Sequence, residues 1–300
     1  MALHGEKILV TGPTGQVTEP IVRALAPDND VWGLARFRDP EAQKRLEAVG
    51  ITCVQHNLAT DAFDDLPEDF TYVINAAAVK SGKWDLDLAA NAEAVGLLMA
   101  HCRSARAVLH ISSTAVYAPN GDRRFTEADP LGDNHRTLMP TYSICKIAAE
   151  AVARFGARQW SLPTVIARLN VPYGDNGGWP ALHLEQLLAG QAIAVHPSGP
   201  SRYNPIHEDD LIRQVPDLLA AASVPATIVN WGGAEPVALE EWCAFLGEQI
   251  GVTPRFEPDE RALSGVAIDT TRMHELIGPA LVPWPEGMRR MLAARHPELV

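Results

Sequence analysis

Tyr142 and Lys146 stand four residues apart in the run T-Y-S-I-C-K, at the start of a stretch with helical periodicity. That spacing puts both on one helix face, one turn from each other. A tyrosine has a reference pKa of about 10 and is a poor base at neutral pH. A neighbouring ammonium favours the phenolate, as does the positive charge of an oxidised nicotinamide. Such a pair can shuttle a hydroxyl proton while a hydride passes to or from a cofactor. Lys146 can also bond the cofactor ribose. The hydroxyl-rich run HISSTAVY ends an apolar strand. Strand ends of open α/β sheets are where ligands bind. Ser113, or a neighbouring hydroxyl, can hold a substrate oxygen beside Tyr142. The candidate catalytic set is therefore Ser113, Tyr142 and Lys146.

The segment KILVTGPTGQVTEPIVRAL places Gly12 and Gly15 between a strand and a helix. Glycine allows positive φ and a close approach of backbone to ligand. The helix start then presents unpaired N–H groups and a partial positive charge to a pyrophosphate. A third glycine often follows for close helix–strand packing. Thr18 stands there instead.

The second strand ends LARFRDP. A site selective for NAD usually has an acidic residue there, bonded to the ribose 2′-hydroxyl. Here Arg36 occupies the place, with Arg38 two residues on, and a guanidinium can grip a 2′-phosphate bidentately. Asp39 precedes Pro40 and reads as a helix cap. The expected cofactor is NADP, with NAD as the other possibility.

Positioning these groups requires alternating strands and helices. Strands are expected at Lys7 to Thr11, Asp30 to Ala35, Ile51 to Gln55, Thr71 to Asn75, Ala107 to Ser112 and Thr164 to Leu169. Helices are expected at Gln16 to Ala26, Pro40 to Val49, Leu86 to Ser104 and Tyr142 to Trp160. The pattern implies right-handed crossovers and a doubly wound parallel sheet of Rossmann type, an α/β fold. Beyond Val171 the texture changes. Residues 172–205 are rich in Gly and Pro around a short helix near Leu182 to Leu188. One more strand is expected at Thr227 to Asn230 and a helix at Glu235 to Ile250. This describes a cofactor domain over 1–170 and about 204–233. A smaller, discontinuous substrate-binding region covers about 171–203 and 234–300. Within it Trp179 and Tyr203 are the expected pocket walls.

The 300 residues carry 25 basic and 37 acidic side chains, a net charge of −12. That sign opposes sequence-independent binding to nucleic acid. No stretch approaches the ~18 to 20 apolar residues of a membrane span. The N-terminal run lacks signal-peptide features, so a cytoplasmic protein is expected. Cys53, Cys102, Cys145 and Cys243 form no CxxC pair and lack metal-ligand spacing with histidine, so neither a disulfide nor a metal site is expected.

With these motifs in place, the chain resembles the extended short-chain dehydrogenase/reductase family, the epimerase/dehydratase-like group that includes UDP-galactose 4-epimerase. TGPTGQV resembles its glycine turn, VINAAAVK its fourth-strand motif with Asn75, and HISSTAVY its serine motif. YSICK carries the Tyr and Lys, and RLNVPYG resembles the segment after the sixth strand. NPIHEDDL and IVNWGGAEPVALEEW resemble later signatures. The resemblance implies cofactor contacts from Gly12, Thr14, Gly15, Gln16, Val17, Arg36, Arg38, Asn57, Leu58, Ala76, Ala77, Asn91, Lys146 and Val171. It also implies a substrate site involving Lys80, Thr114 and Asn170, joined by Trp179, Arg202 and Tyr203, and a homodimer.

The departures are specific. Asn57 replaces the usual adenine-facing Asp. Thr114 and Ala115 replace the Asp-Glu pair of nucleotide-sugar 4,6-dehydratases. The spacing around Arg202 is one residue longer than in the epimerases. The leading expectation is reversible hydride transfer at a carbinol or carbonyl. The alternative is nucleotide-sugar 4-epimerisation with tightly bound NAD. A non-catalytic cofactor sensor of this fold would commonly lack the Tyr–Lys pair.

Overall fold

The computed structural model describes residues 3–121 and 123–299. In chain order the first half runs β1 (Lys7–Thr11), α1 (Thr18–Leu25), β2 (Asp30–Ala35), α2 (Pro40–Glu47), β3 (Thr52–Gln55) and β4 (Tyr72–Asn75). It continues with α3 (Trp84–Leu88), a π-helical turn (Ala89–Glu93), α4 (Ala94–His101), β5 (Ala107–Ser113), α5 (Tyr142–Gln159) and β6 (Thr164–Leu169). Then come β7 (Pro172–Gly174), β8 (Gly177–Gly178), α6 (Trp179–Leu188), β9 (Ile193–Val195), β10 (Arg202–Tyr203), β11 (Ile206–His207) and α7 (Glu208–Ala220). The chain closes with β12 (Thr227–Trp231), β13 (Val237–Ala238), α8 (Leu239–Ile250), β14 (Phe256–Pro258), α9 (Thr271–Ile277) and α10 (Trp284–Arg295).

Seven strands form one parallel sheet in the order β12-β6-β5-β4-β1-β2-β3. The direction of winding reverses at β1, which lies between β2 and β4, and a crevice opens there. Successive side chains of β1 point to opposite faces. Ile8 and Val10 join one core with Ile21, Val22, Leu211 and Trp231, whereas Leu9 joins the other with Val95, Leu98, Ala149 and Ala153. A third core, built around Tyr173, Leu184, Trp242, Leu246 and Met291, sits among the elements that follow β6. Among the described residues no helix is long and apolar enough to cross a membrane.

Several elements differ from the expected spans for identifiable reasons. Helix α1 begins at Thr18 rather than Gln16, because residues 12–17 belong to the turn. The long helix expected over 86–104 is two helices joined by the π-helical turn that carries Asn91. The helix expected from Glu235 starts at Leu239, after the short strand β13. Pro285 occupies the first turn of α10, where its missing N–H costs nothing. Asp39 caps α2 as expected, accepting a hydrogen bond from the Glu41 amide at 3.0 Å.

Candidate active site

The C-terminal ends of β1 to β6 open into one cavity of about 990 Å³. Gly12 and Gly15 enter it from the turn after β1. Gly12 has φ +70°, and a Cβ there would sit 3.1 Å from the Ala77 backbone. A Cβ on Gly15 would meet the Gly12 carbonyl and the Thr18 hydroxyl, each at 3.1 Å. Thr18 is buried and its hydroxyl donates to the Gly12 carbonyl. The residue in the third-glycine position therefore closes the turn instead of loosening it. On the other side the turn rests on β2, where a Cβ on Gly33 would lie 2.7 Å from Pro13. Gln16 holds a buried side-chain amide nitrogen with no partner among the described residues. A bare backbone cradle with an unfilled donor at its edge fits a pyrophosphate.

Arg36 and Arg38 line the same cavity beyond the turn, as do His56, Asn57 and Leu58 after β3. Phe37, between the two arginines, has φ +41°. Such a conformation costs a non-glycine residue roughly 1–2 kcal/mol. Strained backbone of this kind clusters at ligand sites.

At the reacting centre α5 begins with Tyr142, and β5 ends with Ser113. The Ser113 hydroxyl borders the Tyr142 phenol and favours its ionised form. It also accepts from the Ala115 amide at 3.2 Å. Burial pushes the Tyr142 phenol up, and the Ser113 contact opposes that shift. Lys146 is buried, and its ammonium donates to the Ile111 carbonyl at 2.9 Å. Burial, and then the charge of Lys80, bring the Lys146 ammonium down to about 8, against the opposing pull of Glu150 and Cys145. The stem of Lys80 is exposed, but its ammonium lies 4.6 Å from the centre of the Tyr142 ring, and desolvation there lowers its pKa. Tyr142 thus meets the Ser113 hydroxyl and the Lys80 ammonium, with Lys146 one helical turn on, in a cavity that continues to the glycine turn.

The family model for the NAD dependent epimerase/dehydratase family matches residues 8–232. The chain belongs to that family. Its fold is that of solved extended short-chain dehydrogenase/reductase structures, and it is an enzyme. One similar structure is the UDP-glucuronic acid 4-epimerase from Bacillus cereus in complex with UDP-glucuronic acid and NAD: 18% identity, TM-score 0.82, covering 96% of this chain and 98% of that one. Another is the UDP-glucose 4-epimerase from Thermotoga maritima with UDP-glucose, at 18% identity and TM-score 0.78, covering 98% and 100%. A third is a double mutant of the dTDP-glucose 4,6-dehydratase from Streptomyces venezuelae with NAD bound, at 21% identity and TM-score 0.82, covering 96% of each. No curated protein sequence is similar enough to this chain to count as a match.

The enzyme brings most of the expected residues to one place. Thr14, Gln16, Val17, Ala76, Ala77 and Val171 line the cavity with the groups already described, as do Lys80, Thr114, Asn170, Trp179 and Tyr203. Two do not reach it. Asn91 lies behind the wall, where its amide donates to the Val79 and Asp87 carbonyls and accepts from the Val79 amide. It holds the segment bearing Lys80 in place. Arg202 lies outside the lining and pairs with Glu241 at 3.3 Å. Asn170 is at the wall, but its amide is spent on the Val171, Asn204 and Val266 backbone. Asn75, expected against the cofactor, instead accepts from Thr11 at 2.7 Å and bonds His110 at 3.0 Å.

Other lining residues were not foreseen. Leu138, Met139, Leu182, Leu263 and Val266 come from three separate stretches beyond β5. Only tertiary folding unites them, and no local spacing announces it. His135 also faces the cavity, with its ring 5.8 Å from that of Tyr142. Burial, and then the charge of Lys80, bring its imidazole down to about 4, so it is neutral at physiological pH. A single histidine in a polar loop carries no signal of this role in sequence.

Proposed function

We propose that the enzyme transfers hydride reversibly between NADP(H) and a carbinol or carbonyl. The observation that carries this reading is the meeting of Ser113 and Tyr142 in a cavity that runs on into the glycine cradle. The nicotinamide, when bound, supplies the hydride acceptor or donor. Ser113 holds the substrate oxygen and Tyr142 takes or returns its proton. Lys146 lies one helical turn behind and favours the phenolate. Gly12, Thr14, Gly15, Gln16 and Val17 would hold the pyrophosphate, and Arg36 with Arg38 the 2′-phosphate. Residues 171–203 and 234–300 would supply the substrate side.

The test is isotopic. NADPH carrying deuterium at the transferable position is mixed with the enzyme and a panel of carbonyl compounds. Deuterium on the carbinol carbon of a product supports the reading. Its absence from every product overturns it.

A second reading, 4-epimerisation with a retained NAD, is favoured by one contact. The β7–β8 hairpin reaches over the phosphate turn, and Asn176 donates to the Gln16 carbonyl at 3.0 Å. Such a clasp would slow cofactor exchange, as a retained cofactor requires. The solved relatives named above carry nucleotide sugars, which agrees with it. Stoichiometric NAD released on denaturing the purified enzyme would support this reading, and free exchange would sink it.

We infer further a cytoplasmic homodimer. Helices α4 and α5 pack together and leave Leu97 and Phe155 57% and 60% exposed. A second copy would cover them. A monomer by sedimentation would remove this inference.

A further inference from the structure

We infer that the substrate is a compact, mainly apolar carbonyl or carbinol compound, with its one polar end at Tyr142, and not a nucleotide diphosphate sugar. This rests on the hydride-transfer reading for its chemistry, but it is argued from different residues.

The cavity has two unlike ends. At the cofactor end stand Arg36 and Arg38. Beyond Tyr142 the wall is Leu138, Met139, Trp179, Leu182, Leu263 and Val266. Tyr203 is there too, buried and edge-on to Trp179 with ring centres 5.1 Å apart. At the mouth, Leu138 and Leu182 are 52% and 55% exposed. Large apolar side chains left in water at a cavity rim gain by being covered with apolar ligand surface.

Polar groups gather at one point of this end. Ser113, Lys80 and His135 all border Tyr142, and Thr114 lines the same cavity. The His135 ring is neutral, and its Nδ1 has no partner among the described residues. One oxygen-bearing carbon, with at most one adjacent polar group, would use this set.

A diphosphate would find no cation further out. Phosphate oxygens are held by guanidinium forks, ammonium groups or free N–H groups. Among the described residues no arginine lines the cavity beyond Tyr142. Arg202, the nearest candidate in sequence, is bound to Glu241 outside it. Helix α6 starts at the wall, but Pro180 removes one of its free N–H groups. The two ammonium groups of this end belong to Lys80 and Lys146, both at the reacting centre, where the sugar ring of such a substrate would have to sit.

The experiment uses the NADP(H)-loaded enzyme. Its Tm is measured with UDP-glucose and with a series of alkyl methyl ketones of growing chain length, and NADPH consumption is followed with each. The ketones should raise the Tm, and UDP-glucose should not. Where they turn over, kcat/KM should climb about fourfold per methylene, from ~0.8 kcal/mol of burial each, until the pocket is full. Leu182→Lys should flatten that climb while leaving NADPH affinity unchanged. A rise in Tm or turnover with UDP-glucose overturns the proposal and leaves hydride transfer standing. Ketones that stabilise the enzyme yet are never reduced keep the proposal and count against hydride transfer. Ketones that neither stabilise nor react, or a flat series, overturn it.

Discussion

The Lys80 ammonium lies 4.6 Å from the centre of the Tyr142 ring, on an aromatic whose hydroxyl meets Ser113. The two residues come from separate segments, one after β4 and one at the start of α5. A cation held there favours the electron-rich phenolate over the phenol. Burial acts the other way and raises the phenol. The balance sets the pH at which Tyr142 can accept a proton.

Tyr142→Phe should cut turnover by on the order of 10² to 10⁴ with cofactor affinity nearly intact. Lys80→Met should instead leave a working enzyme whose pH profile moves. In the oxidation direction the base is the phenolate, so the rate rises with pH through the Tyr142 pKa. Loss of the Lys80 charge raises that pKa and carries the rising limb to higher pH. Steady-state profiles of the two variants check both statements, and an unmoved limb in Lys80→Met would show the ammonium to be a bystander.

The enzyme should not make a 4-keto-6-deoxy sugar from a nucleotide hexose. Thr114 and Ala115 follow Ser113 where a dehydratase needs an acid and a base, and both side chains are buried. Neither can eliminate water from a sugar. Detection of that product by mass spectrometry after incubation with dTDP-glucose would contradict this.

The buried pair Glu150–Arg168, at 2.8 Å, stands behind the catalytic strand. Glu150 also accepts from Ser112 at 2.7 Å, and Arg168 donates to Tyr117 at 3.1 Å. Removing one partner leaves the other charge buried and uncompensated. Glu150→Leu should therefore cost about 3–5 kcal/mol. Glu150→Leu with Arg168→Met should recover much of that loss. Urea unfolding of the single and double variants measures the difference, and equal stabilities would show that the charge is not the cause.

Stability should fall in mild acid. Burial brings the His183 imidazole down to about 4, and its Nδ1 accepts from Trp242 at 3.0 Å. His110 is likewise brought down to about 3, by burial and then by Lys146. The folded pKa lies below the unfolded one, so between about pH 6.5 and 4 the unfolded chain binds more protons. Stability is full above that window and is lost as pH falls through it, by on the order of 3 kcal/mol for His183. His183→Phe, where it folds, should show a shallower slope of unfolding free energy against pH.

The legible part of this molecule was the part written in local spacing. Gly12, Gly15, Tyr142 and Lys146 announce a turn and a helix face, and the alternating apolar runs announce the sheet. What escaped depends on distant chain. The Thr18 hydroxyl reaches back to Gly12, so a departure from the glycine pattern preserves the turn. Arg202 was drawn off by Glu241, thirty-nine residues away. Leu182 and Leu263 share a wall because the third core joins their segments, and Leu138 reaches it from the separate loop before α5. His135 gains its neutrality from burial and from Lys80, neither of which is visible along the chain.

The proposed preference for NADP rests on Arg36. It follows β2 directly, lines the cavity, and has Arg38 beside it. The nearest carboxylate, Asp39, is engaged as the cap of α2 and has taken the Glu41 amide. At the strand end a ribose 2′-hydroxyl would meet only Asp39, which lines the cavity with one carboxylate oxygen taken as the cap, whereas a 2′-phosphate would gain charge-assisted hydrogen bonds of about 1.5 to 3 kcal/mol each. Exposure at this edge lowers that gain. A net advantage of about 1.4 kcal/mol still gives a tenfold preference. Two of the solved relatives named above carry NAD, so the expectation separates this enzyme from them. Calorimetric titration of the apo-enzyme should show NADP binding at least tenfold tighter, with the margin shrinking as salt rises. Arg36→Ala should remove most of the margin, and Arg36→Asp should reverse it. Equal or tighter binding of NAD by the unaltered enzyme would end the assignment, as would an Arg36→Ala, Arg38→Ala double variant that kept the preference.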